Sequence, residues 1–355
     1  MANKTKLLIH IGTHKTGTTA IQKYLKTHVK PLKEEGINYI KFKYRKQNQR
    51  LLDSDKAYKN ELKTYLKENV IEGVNNLISF EGFAGNLFHL YTNYKTVANT
   101  LHEISSGFRP QIIVFFRRQD QFIESAFMQS IHQGKSLNFS DFFDKSNLKN
   151  LNWLHYSNYY SDLFGQDNII CVPYSPIRFK QESVVNIFGK AIGSDSMMGH
   201  KENYLINIGL SKMAMNILTS LSEDLKEDER SLLKSRLQSH YNNGLFSSYG
   251  FLNSDDRQYL AEMFDDQNNM LAEKYWDRNY LDFKIKIPEK KDMDSEGKIL
   301  EDLILISLKN ERKLLSELYS TKVRLKRYEE SKVVQALNYI RNRMNVFNSL
   351  LKIDI

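Results

Sequence analysis

The residues best suited to chemistry lie in Gly12-Thr-His-Lys-Thr-Gly-Thr-Thr19, close to the start of the chain. Its two glycines let the backbone approach an anion closely, and Lys15 supplies a positive charge. Thr16, Thr18 and Thr19 follow the lysine and add hydroxyl donors. This combination is typical of a loop that binds a phosphate or a similar anion.

The elements on either side place this loop between a strand and a helix. Leu7 to Ile11 is an apolar run of strand length, and apolar residues then recur at helical spacing, at Ala20, Ile21, Tyr24 and Leu25. A loop in this position presents backbone N–H groups and a helix N-terminus to an anion. The alternative is an ordinary strand-to-helix turn that happens to contain these residues.

The position of the lysine separates this loop from the common nucleotide loop. In G-x-x-x-x-G-K-[ST] the lysine directly follows the second glycine. Here Gly12 and Gly17 have the same separation, but Thr18 follows and the lysine lies two residues earlier, at Lys15. The spacing therefore indicates a phosphate-binding loop of another type.

A second chemical group follows a later apolar run. Arg117 ends that run, and Ser125 lies eight residues on, which is about two helical turns. An arginine fork and a serine hydroxyl can together hold one phosphate. Alternatively, Arg117 and Arg118 are surface cations, or they pair with Asp120 or Glu124.

Apolar runs alternate with amphipathic segments over the first half of the chain. This alternation predicts an α/β fold with a central parallel β-sheet flanked by helices. Ligands bind such sheets at the carboxyl ends of the strands, where the loop, Ser79 to Glu81, and Arg117 to Ser125 all lie. The predicted strands are residues 7–11, 36–42, 76–81, 109–116 and 168–174.

The rest of the chain is predicted to be mainly helical, with a charged linker at 288–298 and a helical extension at 299–355. Residues 1–287 would form one domain, with a nucleotide-binding core at 6–175 and a helical part at 176–287. In the extension, apolar residues recur every three or four positions, although Glu311 and Lys322 interrupt the series. The sequence leaves two alternatives for this helix: it packs on its own domain, or it forms a homo-oligomer.

Charge is unevenly distributed along the 355 residues, whose net charge is +9. Residues 1–67 contain 16 Lys or Arg and 5 Asp or Glu, so the basic excess surrounds the loop. The electric field of this excess positive charge attracts an anionic ligand, although a solvated lysine-rich surface explains most of these lysines. No zinc, homeodomain or RNA-recognition motif is present, so a nucleic-acid partner is not expected.

The remaining composition favours a cytoplasmic protein. Cys171 is the only cysteine, which excludes an internal disulfide. No apolar run approaches the roughly 18 residues that a transmembrane helix needs, and the N-terminal residues lack a signal-peptide pattern.

The motifs together resemble those of sulfotransferases that use 3′-phosphoadenosine 5′-phosphosulfate (PAPS), especially bacterial carbohydrate-type members. Thr13 to Thr19 resembles their 5′-phosphosulfate loop, and Phe115 to Ser125 resembles their 3′-phosphate motif. The resemblance covers about residues 7–285 and implies the P-loop-like fold of that family. Further similar stretches are residues 138–143, 164–174 and 264–275.

This resemblance implies a role for each site residue. Arg117 and Ser125 would hold the 3′-phosphate, and Tyr174 would lie near the adenine. PAPS would be the donor, 3′-phosphoadenosine 5′-phosphate (PAP) the product, and no metal would be needed. Many phenol and steroid sulfotransferases have Trp at the position of Ala20. The residue found here is instead like that of members that act on saccharides. The phosphosulfate would contact Thr13, His14, Lys15, Thr16, Gly17, Thr18 and Thr19.

The expected reaction moves a sulfuryl group to a hydroxyl or amine of a carbohydrate. Lys15 would stabilise the negative charge that develops on the leaving group. Glu81 is the preferred base, His14 is its rival, and Glu81 could instead pair with Lys15 or cap a turn. Arg178 and Lys201 are further candidate contacts, the latter in a loop, 201–209, that would close over the nucleotide. The alternative functions are a P-loop-type nucleotide kinase and a non-catalytic nucleotide-binding scaffold.

Overall fold

The computed structural model divides the chain into two units, residues 1–291 and 292–355. Arg178, the 201–209 loop and most of the predicted linker lie outside the described residues. The structure describes residues 4–42, 50–51, 53–132, 139–143, 147–175, 182–200, 217–218, 220–221, 225–240, 251–276, 283–287 and 295–351.

The first unit is built on a five-stranded sheet in the order β2-β3-β1-β4-β5. All four neighbouring pairs are parallel, which confirms the predicted fold class. The strands β1 and β4 occupy the centre and are mostly buried, as the continuous apolar runs indicate. The strands are β1 Lys6–His10, β2 Ile37–Ile40, β3 Asn75–Ser79, β4 Arg109–Arg117 and β5 Ile169–Tyr174.

Helices connect the strands and make up the regular structure described after β5. The helix predicted over residues 20–35 is two helices that meet at His28, and Pro31 lies in the first turn of the second, where its missing N–H costs little. The helices up to β5 are α1 Thr18–Thr27, α2 Val29–Glu34, α3 Lys56–Asn69, α4 Tyr94–Ser105, α5 Gln119–His132, α6 Phe139–Phe142 and α7 Trp153–Phe164. Those after β5 are α8 Val184–Ile192, α9 Asp195–Met198, α10 Glu227–His240 and α11 Ser254–Tyr275.

The described residues of the second unit form two helices, α12 Ser295–Glu329 and α13 Lys332–Leu351. The first of them begins at Ser295, inside the region predicted as a linker. Among the described residues of the whole chain, no helix combines the length and the apolar character that crossing a membrane would require.

Helices cover both faces of the sheet. On one face, α1, α2, α8 and α9 share a core with alternate strand residues such as Leu8 and Phe115. On the opposite face, α7 packs on β4 and β5, and Trp153 stacks on Phe116 with ring centroids 5.1 Å apart. Since successive strand side chains point to opposite faces, Phe115 and Phe116 anchor one layer each.

We call the region at the carboxyl ends of β1 and β4, with the loop Gly12 to Thr19 and the start of α5, the crevice. The connection after β1 passes into the α1 layer, whereas the connection after β4 leads to α7 on the other face. The chain therefore diverges between these two central strands, and ligands bind open α/β sheets at such a point. This topology brings the loop at Gly12 to Thr19 beside Arg117.

A buried ion cluster joins α11 to the start of α5. Asp120 is fully buried and accepts hydrogen bonds from Arg118 Nε and from Arg257 Nη1, both at 2.6 Å. Arg257 Nη2 also donates to Glu124 at 3.2 Å. Arg118 is thus a structural cation that pairs with Asp120, as one interpretation of the sequence allowed, and its neighbour Arg117 is not part of this cluster.

Replacing Asp120 by Asn should therefore destabilise the first unit strongly, because two buried arginines would lose the charge between them. Removal of one member of a buried pair costs about 3–5 kcal/mol. Urea unfolding followed by tryptophan fluorescence measures this, since Trp153 and Trp276 both lie in the first unit.

Glu103→Gln is the matched control for this substitution. Glu103 bridges Lys59 and Lys63 on the surface, with 45% of its side chain exposed. Exposed pairs contribute at most about 1 kcal/mol, so equal losses for the two variants would contradict the structural role of the cluster.

Candidate functional site

Side-chain hydrogen bonds fix the loop after β1 to the end of β4. Thr13 Oγ1 donates to the carbonyl of Phe115 at 2.6 Å, and Thr16 Oγ1 donates to the carbonyl of Thr13. Both threonines are fully buried. The loop is therefore held in place before any ligand binds, and the sequence motif accounts for this because hydroxyl side chains readily bond to nearby carbonyls.

The shape of the loop depends on its two glycines. Gly17 adopts the left-handed conformation with φ +83, and a Cβ there would lie 2.9 Å from a methyl group of Val184 on α8. At Gly12, a Cβ would lie 2.7 Å from both His10 Nε2 and Thr18 Oγ1. Side chains would thus obstruct the loop at both positions, as expected where a backbone passes close to other groups.

The N-terminus of α1 opens directly from this loop. Its N-cap, Gly17, provides no side-chain cap, and the first turn contains no acidic residue. Among the described residues, the backbone N–H groups of residues 16–19 have no acceptor. Free N–H groups and the helix dipole make this end of α1 favourable for an anion.

Arg117 lies at the end of β4 with its guanidinium turned toward the loop. Its Nη1 approaches the carbonyl of Lys15 at 3.4 Å, and its Cζ lies 5.6 Å from the ring centroid of Tyr174. The carbonyl of Arg117 accepts a 2.8 Å hydrogen bond from the indole of Trp153, which fixes this residue from the opposite side. The predicted residues Lys15, Arg117 and Tyr174 are therefore close together.

Three buried polar atoms around this loop lack hydrogen-bond partners in the described structure, namely His10 Nε2, Thr18 Oγ1 and Arg117 Nε. Arg117 is 8% exposed and Thr18 is 1% exposed. Buried polar groups are almost always paired, so the unpaired guanidinium nitrogen and the unpaired hydroxyl are suited to bind a further group. Both can donate, and an anion therefore fits them.

Ser125 lies on α5, which begins directly after the end of β4. It is buried, and its hydroxyl forms no hydrogen bond with another described residue. Gln129 lies one turn further along the same face, and its Oε1 accepts a 2.5 Å hydrogen bond from Lys15 Nζ. This contact places the Ser125 face of α5 toward the loop, whereas Thr19 is exposed on α1.

The electrostatics around Lys15 favour an anion. The pKa of Lys15 is lowered to about 8, mainly by burial. The Glu81 carboxylate opposes this change, and the positive charges of Lys234 and Arg117 contribute to it. Lys234 lies on α10 and is itself partly buried, which lowers its own pKa. The positive charges around Lys15 in this crevice therefore exceed the negative ones.

His14 is bound to Tyr91 through two of its atoms. The backbone N–H of His14 donates to the Tyr91 hydroxyl at 2.8 Å, and His14 Nδ1 lies 2.9 Å from the same oxygen. Burial raises the pKa of Tyr91, so its proton stays in place and can be donated to Nδ1. Burial and the charge of Lys15 lower the pKa of His14 to about 3, which leaves its ring neutral near pH 7.

Glu81 is the first residue of a short 3₁₀ turn, Glu81–Ala84, after β3. The predicted strand over 76–81 thus ends earlier, at Ser79, although Phe80 still donates its N–H to the carbonyl of His10 at 3.2 Å. This bond extends the β1–β3 pairing to the edge where Glu81 lies. Its negative charge acts on both Lys15 and Tyr91, so the carboxylate belongs to the same crevice.

Three residues of this crevice do not follow from the sequence motifs, namely Tyr91, Gln129 and Lys234. Of the three, only Gln129 could have been predicted from the sequence, because it lies one helical turn beyond Ser125 on the same face of the helix. Tyr91 lies in a turn with φ 60 and Lys234 lies on a distant helix, and neither position is marked by a local pattern.

Comparisons with known proteins add a structural likeness. No protein-family model and no curated protein matches this chain. Among solved structures, the chain is similar to a sulfotransferase from Alicyclobacillus acidocaldarius, with 11% identity and a TM-score of 0.40 over 77% of this chain and 96% of that chain. An overlap this loose assigns no activity, so the function must be inferred from the geometry of the site.

Replacing Lys15 by Met should stabilise the ligand-free protein at pH 7, because it removes a buried charge that lies near two other cations. The folded-state pKa of about 8 is below the ordinary lysine value of 10.5. The cost of burying this charge is therefore fully present below pH 8 and disappears as the pH rises toward 10.5. We expect a gain of about 1–3 kcal/mol at pH 7 and a smaller gain at about pH 9.5.

Thermal unfolding of the variant and its parent at both pH values measures this difference. Lys30→Met, at an exposed position of α2, is the control and should change stability little at either pH. A gain for Lys15→Met that does not shrink as the pH rises would show that Lys15 is not held as a buried cation.

Proposed function

We propose that this protein is a PAPS-dependent sulfotransferase that transfers the sulfuryl group to a hydroxyl or amine of a carbohydrate. The observation that carries the proposal is the pair of buried, unpaired groups, Arg117 Nε and Thr18 Oγ1, beside the uncapped N-terminus of α1. These groups fit an anionic ligand, and the motifs that contain them resemble the PAPS-binding motifs of sulfotransferases.

A nucleotide with phosphates at two places would use two sets of donors in this site. The loop and the first turn of α1 provide backbone N–H groups and the Thr18 hydroxyl for a 5′-phosphosulfate. The guanidinium of Arg117 and the hydroxyl of Ser125 are available for a 3′-phosphate. Tyr174 lies against Arg117 at the end of β5 and offers a ring surface for the adenine.

Lys15 has the charge and the position to stabilise a leaving group. Its pKa of about 8 keeps it mostly protonated at pH 7. Its backbone is in the left-handed region with φ 66, and Gln129 fixes its Nζ. A protonated amine that is already ordered can stabilise developing charge without further reorganisation.

Glu81 is a better candidate for the general base than His14. We assign the Tyr91 proton to the hydrogen bond with His14 Nδ1, because the Tyr91 oxygen already accepts the backbone N–H of His14. The ring proton then lies on Nε2, and neither ring nitrogen is a free acceptor. Its pKa of about 3 also makes the ring a weak base. The Glu81 carboxylate lies at the same edge of the sheet and carries the negative charge that deprotonation of an acceptor requires.

Calorimetry with PAP should show binding that depends on Arg117. Loss of hydrogen bonds from a charged group costs about 1.5–3 kcal/mol, so Arg117→Met should weaken PAP binding about 10- to 100-fold. The same variant should bind 5′-AMP nearly as well as the parent does, because 5′-AMP lacks the 3′-phosphate.

Arg109→Met is the control, since Arg109 is an exposed arginine at the opposite end of the same strand. It should leave the affinity for PAP unchanged. Binding of ATP without binding of PAP would contradict the proposed donor and would favour a kinase.

Sulfate transfer from radiolabelled PAPS to a panel of saccharides tests the roles of the two candidate bases. Glu81→Gln should lower kcat at least about 100-fold and leave the affinity for PAP nearly unchanged, since removal of a general base costs about 10²- to 10⁴-fold. His14→Gln should retain most of the turnover. The reverse pattern would assign the base to His14.

A further inference from the structure

The helix α12 carries a seam of residues with the spacing of a coiled coil. Successive members alternate between steps of four and three residues, which is the 3.5-residue period of a left-handed supercoil. Three of its leucines are largely exposed, at 57% for Leu315, 66% for Leu318 and 58% for Leu325. The seam consists of Ile304, Leu308, Glu311, Leu315, Leu318, Lys322 and Leu325.

The two charged members of this seam decide which partner it fits. Neither Glu311 nor Lys322 forms an ion pair with another described residue. In a parallel pair of identical helices, equivalent positions face each other, so Glu311 would meet the partner's Glu311 and Lys322 the partner's Lys322. Like charges in a coiled-coil core oppose association, and the parallel arrangement is therefore disfavoured.

We propose that α12 pairs antiparallel with the same helix of a second copy of this chain. The seam has two kinds of position: those reached by a step of four residues and those reached by a step of three. In an antiparallel pair, a position of one kind faces a position of the other kind. One register then places Glu311 against the partner's Lys322, and by symmetry Lys322 against the partner's Glu311. In the same register, Leu308 faces the partner's Leu325 and Leu315 faces the partner's Leu318. The four leucines of the seam therefore meet leucines, and both of its charges are neutralised. Ile304, at the end of the seam, faces the partner's Glu329.

The neighbouring registers lack this complementarity. A shift of one heptad in one direction places Leu315 against the partner's Glu311, and a shift in the other direction places Leu318 against the partner's Lys322. Each leaves a charge facing a leucine, and burying an unpaired charge is costly. The seam is thus complementary to itself about a twofold axis between residues 316 and 317, as an isologous dimer requires.

Residues beside the seam extend the apolar surface. Leu314 and Tyr319 flank its middle and are 66% and 71% exposed. In the antiparallel pair these side chains cover the edges of the core and partly shield the two Glu–Lys pairs from water. A polar pair in such a core specifies register at some cost in stability, so we expect a reversible dimer.

Sedimentation equilibrium of the full chain over a range of concentrations tests the proposal. The parent chain should dimerise, and Glu311→Lys should raise the dimer dissociation constant at least about tenfold, because symmetry converts both attractive pairs into repulsive ones. Lys322→Glu should do the same. The double variant Glu311→Lys/Lys322→Glu should restore the parent value, since each pair is again attractive.

Matched charge changes outside the seam are the controls. Glu317→Lys and Lys313→Glu alter the same charges on the outer face of α12 and should leave the dissociation constant within about threefold. Circular dichroism at a concentration where all variants are monomeric should show unchanged helix content. A parent chain that is monomeric at every concentration, or seam variants that behave like these controls, would overturn the proposal.

Oxidative cross-linking distinguishes the orientation independently. A mixture of chains carrying Leu308→Cys and chains carrying Leu325→Cys should form a disulfide-linked dimer, and Leu308→Cys alone should not. In the antiparallel register, two copies of position 308 lie about 25 Å apart, at about 1.5 Å per helical residue. Efficient cross-linking of Leu308→Cys with itself would establish a parallel pair and refute the arrangement. The native Cys171 is buried and should not interfere.

Discussion

The hydrogen bond from Thr13 Oγ1 to the carbonyl of Phe115 is the contact on which the geometry of the site depends. It fixes the loop after β1 to the end of β4, the two strands between which the helix layers diverge. Arg117 comes two residues after Phe115, and α1 begins five residues after Thr13. One buried contact therefore aligns a cation, a helix N-terminus and the loop between them.

The adjacent arginines at the end of β4 show how the fold separates stability from ligand binding. Arg118 is neutralised by Asp120 inside a cluster that holds α11, and its charge is not available to a ligand. Arg117 reaches the crevice, where its Nε lacks a partner among the described residues. Two adjacent arginines thus differ in their surroundings, because each backbone position directs its side chain to a different side, and only Arg117 has the position that the proposed ligand requires.

Local patterns predicted most of the fold and the centre of the site. The apolar runs indicated all five strands because parallel strands are buried on both faces, and the loop was marked by glycine, lysine and threonine spacing. Contacts between distant segments left little or no such mark: Tyr91 and Gln129 reach His14 and Lys15 over 77 and 114 positions of sequence. The pairing of Arg257 with Asp120 was also invisible, since helical periodicity does not reveal which distant helix packs against α5.

The charge balance at Lys15 would link binding of the proposed anion to proton binding. Glu81 alone would hold the proton on Lys15, but burial together with Arg117 and Lys234 lowers the pKa to about 8. A bound anion adds negative charge beside the amine and so raises this pKa again. By linkage, the protonated lysine must bind the anion more tightly than the neutral lysine does, and affinity should fall as the pH rises above about 8. In the proposed function, the buried cation that destabilises the free protein is therefore also the group that binds the anion.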